Sequence, residues 1–132
     1  MLGSAVGIAF LASTNLQRSQ RFFEDLGLSV ESINDYACVL RAGSTTLRVT
    51  RVEQLQPQPF TVFGWQVDDL GAVVHDLAAG GIDCLKYDGL EQDPAGIWTT
   101  PAGDRVAWFH DPDANVLSLT QYAADPAPPR QS

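Results

Sequence analysis

Positive charge is scarce in this chain of 132 residues. Eight lysines and arginines stand against sixteen aspartates and glutamates, for a formal net charge of −8. A nucleic-acid surface needs clustered basic side chains, so that class of partner is excluded. The acid excess fits a cytoplasmic protein and mildly favours cationic ligands, beside its plain effect on solubility. Cysteine is nearly absent. Cys38 and Cys84 lie far apart in apolar surroundings, which predicts free buried thiols and no disulfide scaffold. No apolar run approaches the roughly 20 residues of a membrane span. The opening "MLGSAVGIAFLAST" lacks a basic segment and alternates like a strand, so it does not read as a signal peptide. Histidine is rare as well. His75 and His110 have no recognisable partner in the sequence, and neither a phosphate loop nor zinc-ligand spacing is present.

What is there suffices for one domain, read over residues 1–124. Hydrophobic residues make up 45% of the chain, and a chain of this size buries roughly two-thirds of its unfolded surface. The proline-rich end, "AADPAPPRQS", predicts disorder over 125–132.

The chain repeats itself at a shift of 54 residues, which lays Ile8 on Val62, Leu16 on Leu70, Phe23 on Leu77, Gly27 on Gly81 and Leu28 on Ile82. Each copy opens with an apolar strand, "VGIAFLA" or "TVFGWQV", and continues with a capped helix. Ser13 or Thr14 is the expected cap of the first helix and Asp68 of the second. Both helices end at glycine, suited to the left-handed position beyond a helix. Three strands follow each helix: "SVESI", "YACVLRA" and "TTLRVTRV" in the first copy, "DCLKYD", "RVAWFH" and "NVLSLTQ" in the second. The second copy also carries the longer loop "GLEQDPAGIWTTPAG". The reading is α+β: two βαβββ modules, about 4–52 and 60–122, forming a curved eight-stranded surface with a concave cleft. Alternation then sorts the strands. Leu47, Val49, Phe63, Trp65, Val67, Leu117 and Leu119 are expected on the helix side. Thr46, Arg48, Thr50, Val62, Gly64, Gln66, Val116, Ser118 and Thr120 are expected on the cleft side.

Three stretches, "NLQRSQRFFEDLGL", "QVDDLGAVVHDLAAGGI" and "FHDPDANVLSL", resemble the vicinal oxygen chelate superfamily of glyoxalase I, extradiol dioxygenases and the bleomycin- and fosfomycin-resistance proteins. The resemblance spans roughly residues 4–122 and implies the fold more than a chemistry. Metal-dependent members take four His or Glu ligands from equivalent strand positions. Those positions here are Ile8, Arg48, Val62 and Ser118. Isoleucine and valine have no donor atom, and serine is a poor one. A fixed guanidinium about 4 Å from a divalent ion would cost about 8 kcal/mol at an effective dielectric near 20. The resemblance therefore implies no metal and no other cofactor. The turn Asp111–Asn115 is expected to be architectural.

The cleft candidates each keep two readings. Arg48 grips an anionic group on a ligand, or its stem packs while its head reaches solvent or Asp104. Trp108 stacks on a flat ring, as an aromatic at this place does in the fosfomycin-resistance relatives, or packs between strands. His110 is a general base or simply exposed. His75 points to solvent. Trp98, in the long loop, covers a ligand or anchors the loop or a subunit contact. Tyr36 and Tyr87 are weaker candidates of the same kind. The expected function is metal-free binding of a small molecule, aromatic or anionic, with Ile8, Arg48, Val62, Gln66, Trp98, Trp108, His110 and Ser118 lining the site. A lyase or dioxygenase with a non-standard site is the alternative, and a scaffold that only pairs with another protein is a third reading. Relatives of this architecture usually pair, which implies a homodimer.

Overall fold

The structure, a computed structural model, describes residues 1–124; the tail expected to be disordered lies outside them. The first module runs β1 (Ile8–Ser13), α1 (Leu16–Asp25), β2 (Ser29–Ile33), β3 (Ala37–Ala42) and β4 (Thr45–Arg51). The second runs β5 (Thr61–Gln66), α2 (Leu70–Ala79), β6 (Trp98–Thr99), β7 (Arg105–His110) and β8 (Val116–Gln121). Among the described residues, eight strands thus lie in two open four-stranded sheets, ordered β1-β4-β3-β2 and β5-β8-β7-β6. This is the expected α+β class with its two βαβββ modules.

The repeat has a local physical basis at the helix ends. Gly27 adopts φ 100° and Gly81 φ 88°, a region that costs other residues strain. At the first, the Leu28 and Gly27 N–H groups donate to the Phe23 and Glu24 carbonyls at 3.0 and 2.9 Å. At the second, Ile82 and Gly81 donate to Leu77 and Ala78 at 2.8 and 3.0 Å. Both are the six-to-one and five-to-two pair that closes a helix on a left-handed residue. The N-caps lie one residue beyond expectation. Asn15 accepts from the Arg18 N–H at 3.0 Å and Asp69 from the Ala72 N–H at 3.1 Å. Ser13 and Thr14 do not cap α1: their hydroxyls donate to Asp113, and Ser13 Oγ accepts from the Asn15 N–H and Ser19 Oγ. Asp68 stays exposed.

By contacts the chain divides into two compact units. Within the described residues, one is Met1–Phe63 with His110–Val116; the other is Gly64–Phe109 with 117–124. In the first unit α1 lies against β3, β4 and β2 and buries Leu16, Ser19 and Phe23. Leu11, Cys38, Leu40, Leu47 and Val49 are buried beside them. The strand register leaves Ile8, Phe10, Thr46, Arg48 and Val39 on the other, open face. In the second unit α2 buries Leu70, Val74 and Leu77, and β7 and β8 bury Ala107, Phe109, Leu117 and Leu119. Trp65 stacks on Phe109 with ring centroids 6.1 Å apart. The Gln121 side chain accepts from the Leu70 N–H at 2.8 Å, fixing the start of α2 on β8.

Two strand expectations need correction. "DCLKYD" (83–88) forms no strand; the module's short strand is Trp98–Thr99, inside what reads as loop. Val116, expected on the open face, is buried.

Candidate functional site

The segment 83–99 is irregular but firmly built. Gln92 replaces the missing ladder: its Nε2 donates to the Leu85 and Gly96 carbonyls at 2.8 and 2.7 Å, and its Oε1 accepts from the Tyr87 N–H at 2.7 Å. Asp93 Oδ1 accepts from the Ala95 and Ile97 N–H groups, both at 2.9 Å. Gly96, at φ 98°, has no room for a side chain, since a Cβ would sit 2.8 Å from that of Cys84. The Leu85 N–H donates to the Trp108 carbonyl at 2.7 Å and ties the segment to β7.

The result is an aromatic group on the open face of the second sheet. Trp98 pairs with Val106 across β6 and β7. Its ring stacks on that of Trp108 with centroids 6.3 Å apart and planes 26° from parallel. Tyr87 meets Trp108 edge-on at 5.3 Å and 87°. All three rings are half-buried, so each keeps surface for a further ring. Burial raises the Tyr87 phenol above its ordinary pKa. The same face carries half-buried Ser118 and Thr120 and exposed Gln66. Gly64 makes space there, because a Cβ on it would lie 2.5 Å from Ser118 Oγ. Flat apolar surface beside a few hydroxyl and amide groups suits an uncharged or delocalised ring system.

Of the residues singled out from sequence, Trp98 and Trp108 come together, and Tyr87, ranked below them, completes the group. Ser118 and Gln66 share their face. His110 ends β7 exposed, with no side-chain partner among the described residues; nothing orients it as a base. His75 is exposed, as expected. Ile8, 53% exposed, and half-buried Arg48 lie on the open face of the first sheet, and Val62 is 37% exposed. Arg48 makes no side-chain hydrogen bond or ion pair among the described residues. Asp104, the acid suggested for it, accepts from the Ala123 N–H at 2.8 Å instead. Sequence reading missed Phe10, the register partner of Arg48, whose aromatic side chain is 60% exposed. The signal was present: Phe10 follows Ile8 by two residues on the same strand.

A divalent ion does not fit these residues. Among the described residues no group of three or more His, Cys, Asp or Glu is placed to hold one. A thiolate nucleophile is disfavoured too. Burial raises the Cys84 thiol, Asp83 and Asp93 raise it further, and Lys86 only partly opposes them.

The turn at 111–115 is more than a hairpin end. Asp113 accepts from Ser13 Oγ at 2.7 Å, Thr14 N at 3.0 Å, Thr14 Oγ1 at 2.8 Å and Arg18 Nη2 at 2.7 Å. Ser19 Oγ donates to Ser13 Oγ at 2.6 Å. Asp111 accepts from the Asp113 and Asn115 N–H groups and from Asn115 Nδ2, and Asn115 Nδ2 also reaches the Ala12 carbonyl at 3.0 Å. These bonds explain why His110–Val116 belongs to the first unit. Ala114 takes φ 66°, the one positive φ outside glycine among the described residues. Left-handed geometry costs a residue with a Cβ about 1–2 kcal/mol, and glycine returns part of that as chain entropy. Ala114→Gly should therefore stabilise the protein by about 0.5–1 kcal/mol, read as a higher urea midpoint at unchanged slope.

No protein-family model and no curated protein matches the chain, but solved structures do. A glyoxalase family protein from Enterococcus faecalis aligns with TM-score 0.68 and 22% identity, covering 91% of this chain and 99% of its own. A bleomycin-binding protein complexed with bleomycin aligns at 0.71 and 20%, covering 91% and 100%. The fosfomycin resistance protein FosX from Listeria monocytogenes aligns at 0.72 and 12%, covering 91% and 94%. The chain has the glyoxalase/bleomycin-resistance fold. That is the fold of the vicinal oxygen chelate superfamily, as the sequence resemblance implied. Within this fold Ile8, Arg48, Val62 and Ser118 stand where the resemblance places metal ligands, and their donor chemistry does not suit that task.

Proposed function

We propose that this protein of the glyoxalase/bleomycin-resistance fold binds a small aromatic or anionic molecule, without a metal and without altering it. The observation that carries the reading is the Trp98–Trp108 stack with Tyr87 on the open face of the second sheet. Solved structures of the same fold include a protein bound to bleomycin and a fosfomycin resistance protein, which supports sequestration of an antibiotic or similar compound. On this reading Arg48 is a separate anchor for an anionic group, and His110 carries no catalysis. No helix among the described residues is long and apolar enough to cross a membrane, and a cytoplasmic location completes the proposal.

A thermal-shift screen of aromatic antibiotics and dyes in EDTA is the test. Binders should raise the melting temperature equally with and without the chelator, and elemental analysis after dialysis should give far less than one metal per chain. One equivalent of zinc, nickel, manganese or iron, required for binding, would overturn the reading and favour a lyase or dioxygenase. We also propose a homodimer, because Ile8 and Phe10 expose apolar side chains on β1, a sheet-edge strand. Light scattering should give about twice the 14.3 kDa chain mass; the chain mass itself at micromolar concentration would contradict this.

A further inference from the structure

The charge of the chain is unevenly divided. The first unit holds seven carboxylates and five arginines, a net of −2. The described part of the second holds eight carboxylates against Lys86 and Arg105, a net of −6. The imbalance concentrates on the segment that builds the aromatic group. Between residues 83 and 104 stand Asp83, Asp88, Glu91, Asp93 and Asp104 against Lys86 alone, a net of −4. Of the two bases of this unit, Lys86 is already counted in that sum and Arg105 lies outside the segment. Lys86 Nζ is taken up by the Pro94 and Asp93 carbonyls at 2.8 and 3.3 Å. Arg105 pairs with Thr99 and alternates with Val106 along β7, so it points away from the face that carries Trp98 and Trp108.

We propose that the Tyr87–Trp98–Trp108 group selects a planar cationic ring system. The inference rests on the binding function proposed above and gives it a ligand class. The aromatic rings are the site. Their faces carry negative quadrupole density that attracts a cation, most strongly at tryptophan. The carboxylates of the same segment set a potential of the same sense, which raises the concentration of cations at the rings and lowers that of anions. A positively charged heteroaromatic meets both terms together, whereas a carboxylate of the same shape meets the stacking term against the field.

The experiment titrates three probes of one ring shape, 9-aminoacridinium, neutral acridone and acridine-9-carboxylate, against the full chain by quenching of tryptophan fluorescence. At about 20 mM salt the cation should bind roughly tenfold tighter than the carboxylate, and the gap should shrink to about twofold at 0.5 M salt as screening sets in. Asp83→Asn, Asp88→Asn and Glu91→Gln together remove three exposed acids whose side chains make no hydrogen bonds among the described residues. That variant should lose about fivefold in cation affinity and leave acridone binding unchanged. Equal affinity for all three probes would overturn the charge selection and leave the proposed binding function standing. Tighter binding of the carboxylate, lost in Arg48→Ala, would overturn it in favour of the anionic anchor. Failure of every probe to bind would count against the binding function itself.

Discussion

Asp113→Ala should lower the free energy of unfolding by about 3 kcal/mol, a large loss for a surface turn. The side chain is only 3% exposed and accepts four hydrogen bonds from Ser13, Thr14 and Arg18. Truncation removes a buried carboxylate acceptor from Ser13, Thr14 and Arg18, and hydrogen bonds to a charged group contribute about 1.5–3 kcal/mol. Arg18 adds less. Its side chain is 41% exposed and can turn to water, so Arg18→Ala should cost about 1 kcal/mol or less. Chemical denaturation of both variants checks the ranking. Equal, small losses would mean that the turn is held by its own backbone alone.

The same carboxylates give the fold a two-sided acid response. Burial alone would raise Asp113, but the bonds from Thr14 and Ser13 and the charge of Arg18 outweigh it, and its pKa is lowered. Its stabilisation is present above the ordinary carboxylate pKa of about 3.9 and is lost as pH falls through the lower folded value. Asp111 is shifted the other way. Burial raises it despite bonds from Asn115 and the Asp113 N–H. Its ionised form is disfavoured on folding, so it returns some stability as pH falls toward about 3.9. Denaturation midpoints should therefore rise slightly on mild acidification and drop below about pH 4, and Asp113→Asn should flatten that drop.

Trp108→Ala should weaken a planar ligand by about 30- to 100-fold. The loss combines a stacking contribution of about 0.5–1.5 kcal/mol with the ring area no longer buried. Trp108 is the centre of the group, contacting both Tyr87 and Trp98, so its removal also frees those two rings to shift. Trp108→Phe keeps an aromatic face at less area and should lose only about fivefold. Calorimetric titration of 9-aminoacridine into the three proteins separates these cases. Equal affinity for wild type and Trp108→Ala would place the ligand elsewhere.

The modules were legible in the sequence because apolar period and helix-ending glycines are local signals. Phe23, Gly27 and Leu28 act together over one turn, and so do Leu77, Gly81 and Ile82. The cap of the first helix fell on Asn15 because Ser13 and Thr14 are tied to Asp113, about a hundred residues away, and no local pattern records that. "DCLKYD" alternates like a strand, yet the Gln92 side chain occupies the backbone groups a ladder would have used. Trp98 and Trp108 were visible as candidates. Their stacking was not, because it depends on the short pairing of β6 with β7.

The most direct test of the central claim is where a ligand touches the protein. The chain has three tryptophans, each with an indole N–H resonance in a nitrogen-15 correlation spectrum. Trp98 and Trp108 share the open face, whereas Trp65 stacks on buried Phe109. Titration with 9-aminoacridine in EDTA should shift the Trp98 and Trp108 indole signals, and the Ser118 and Thr120 amides, while Trp65 stays in place. Shifts confined to Trp65 or to the helices, or no saturable shift at all, would contradict the account.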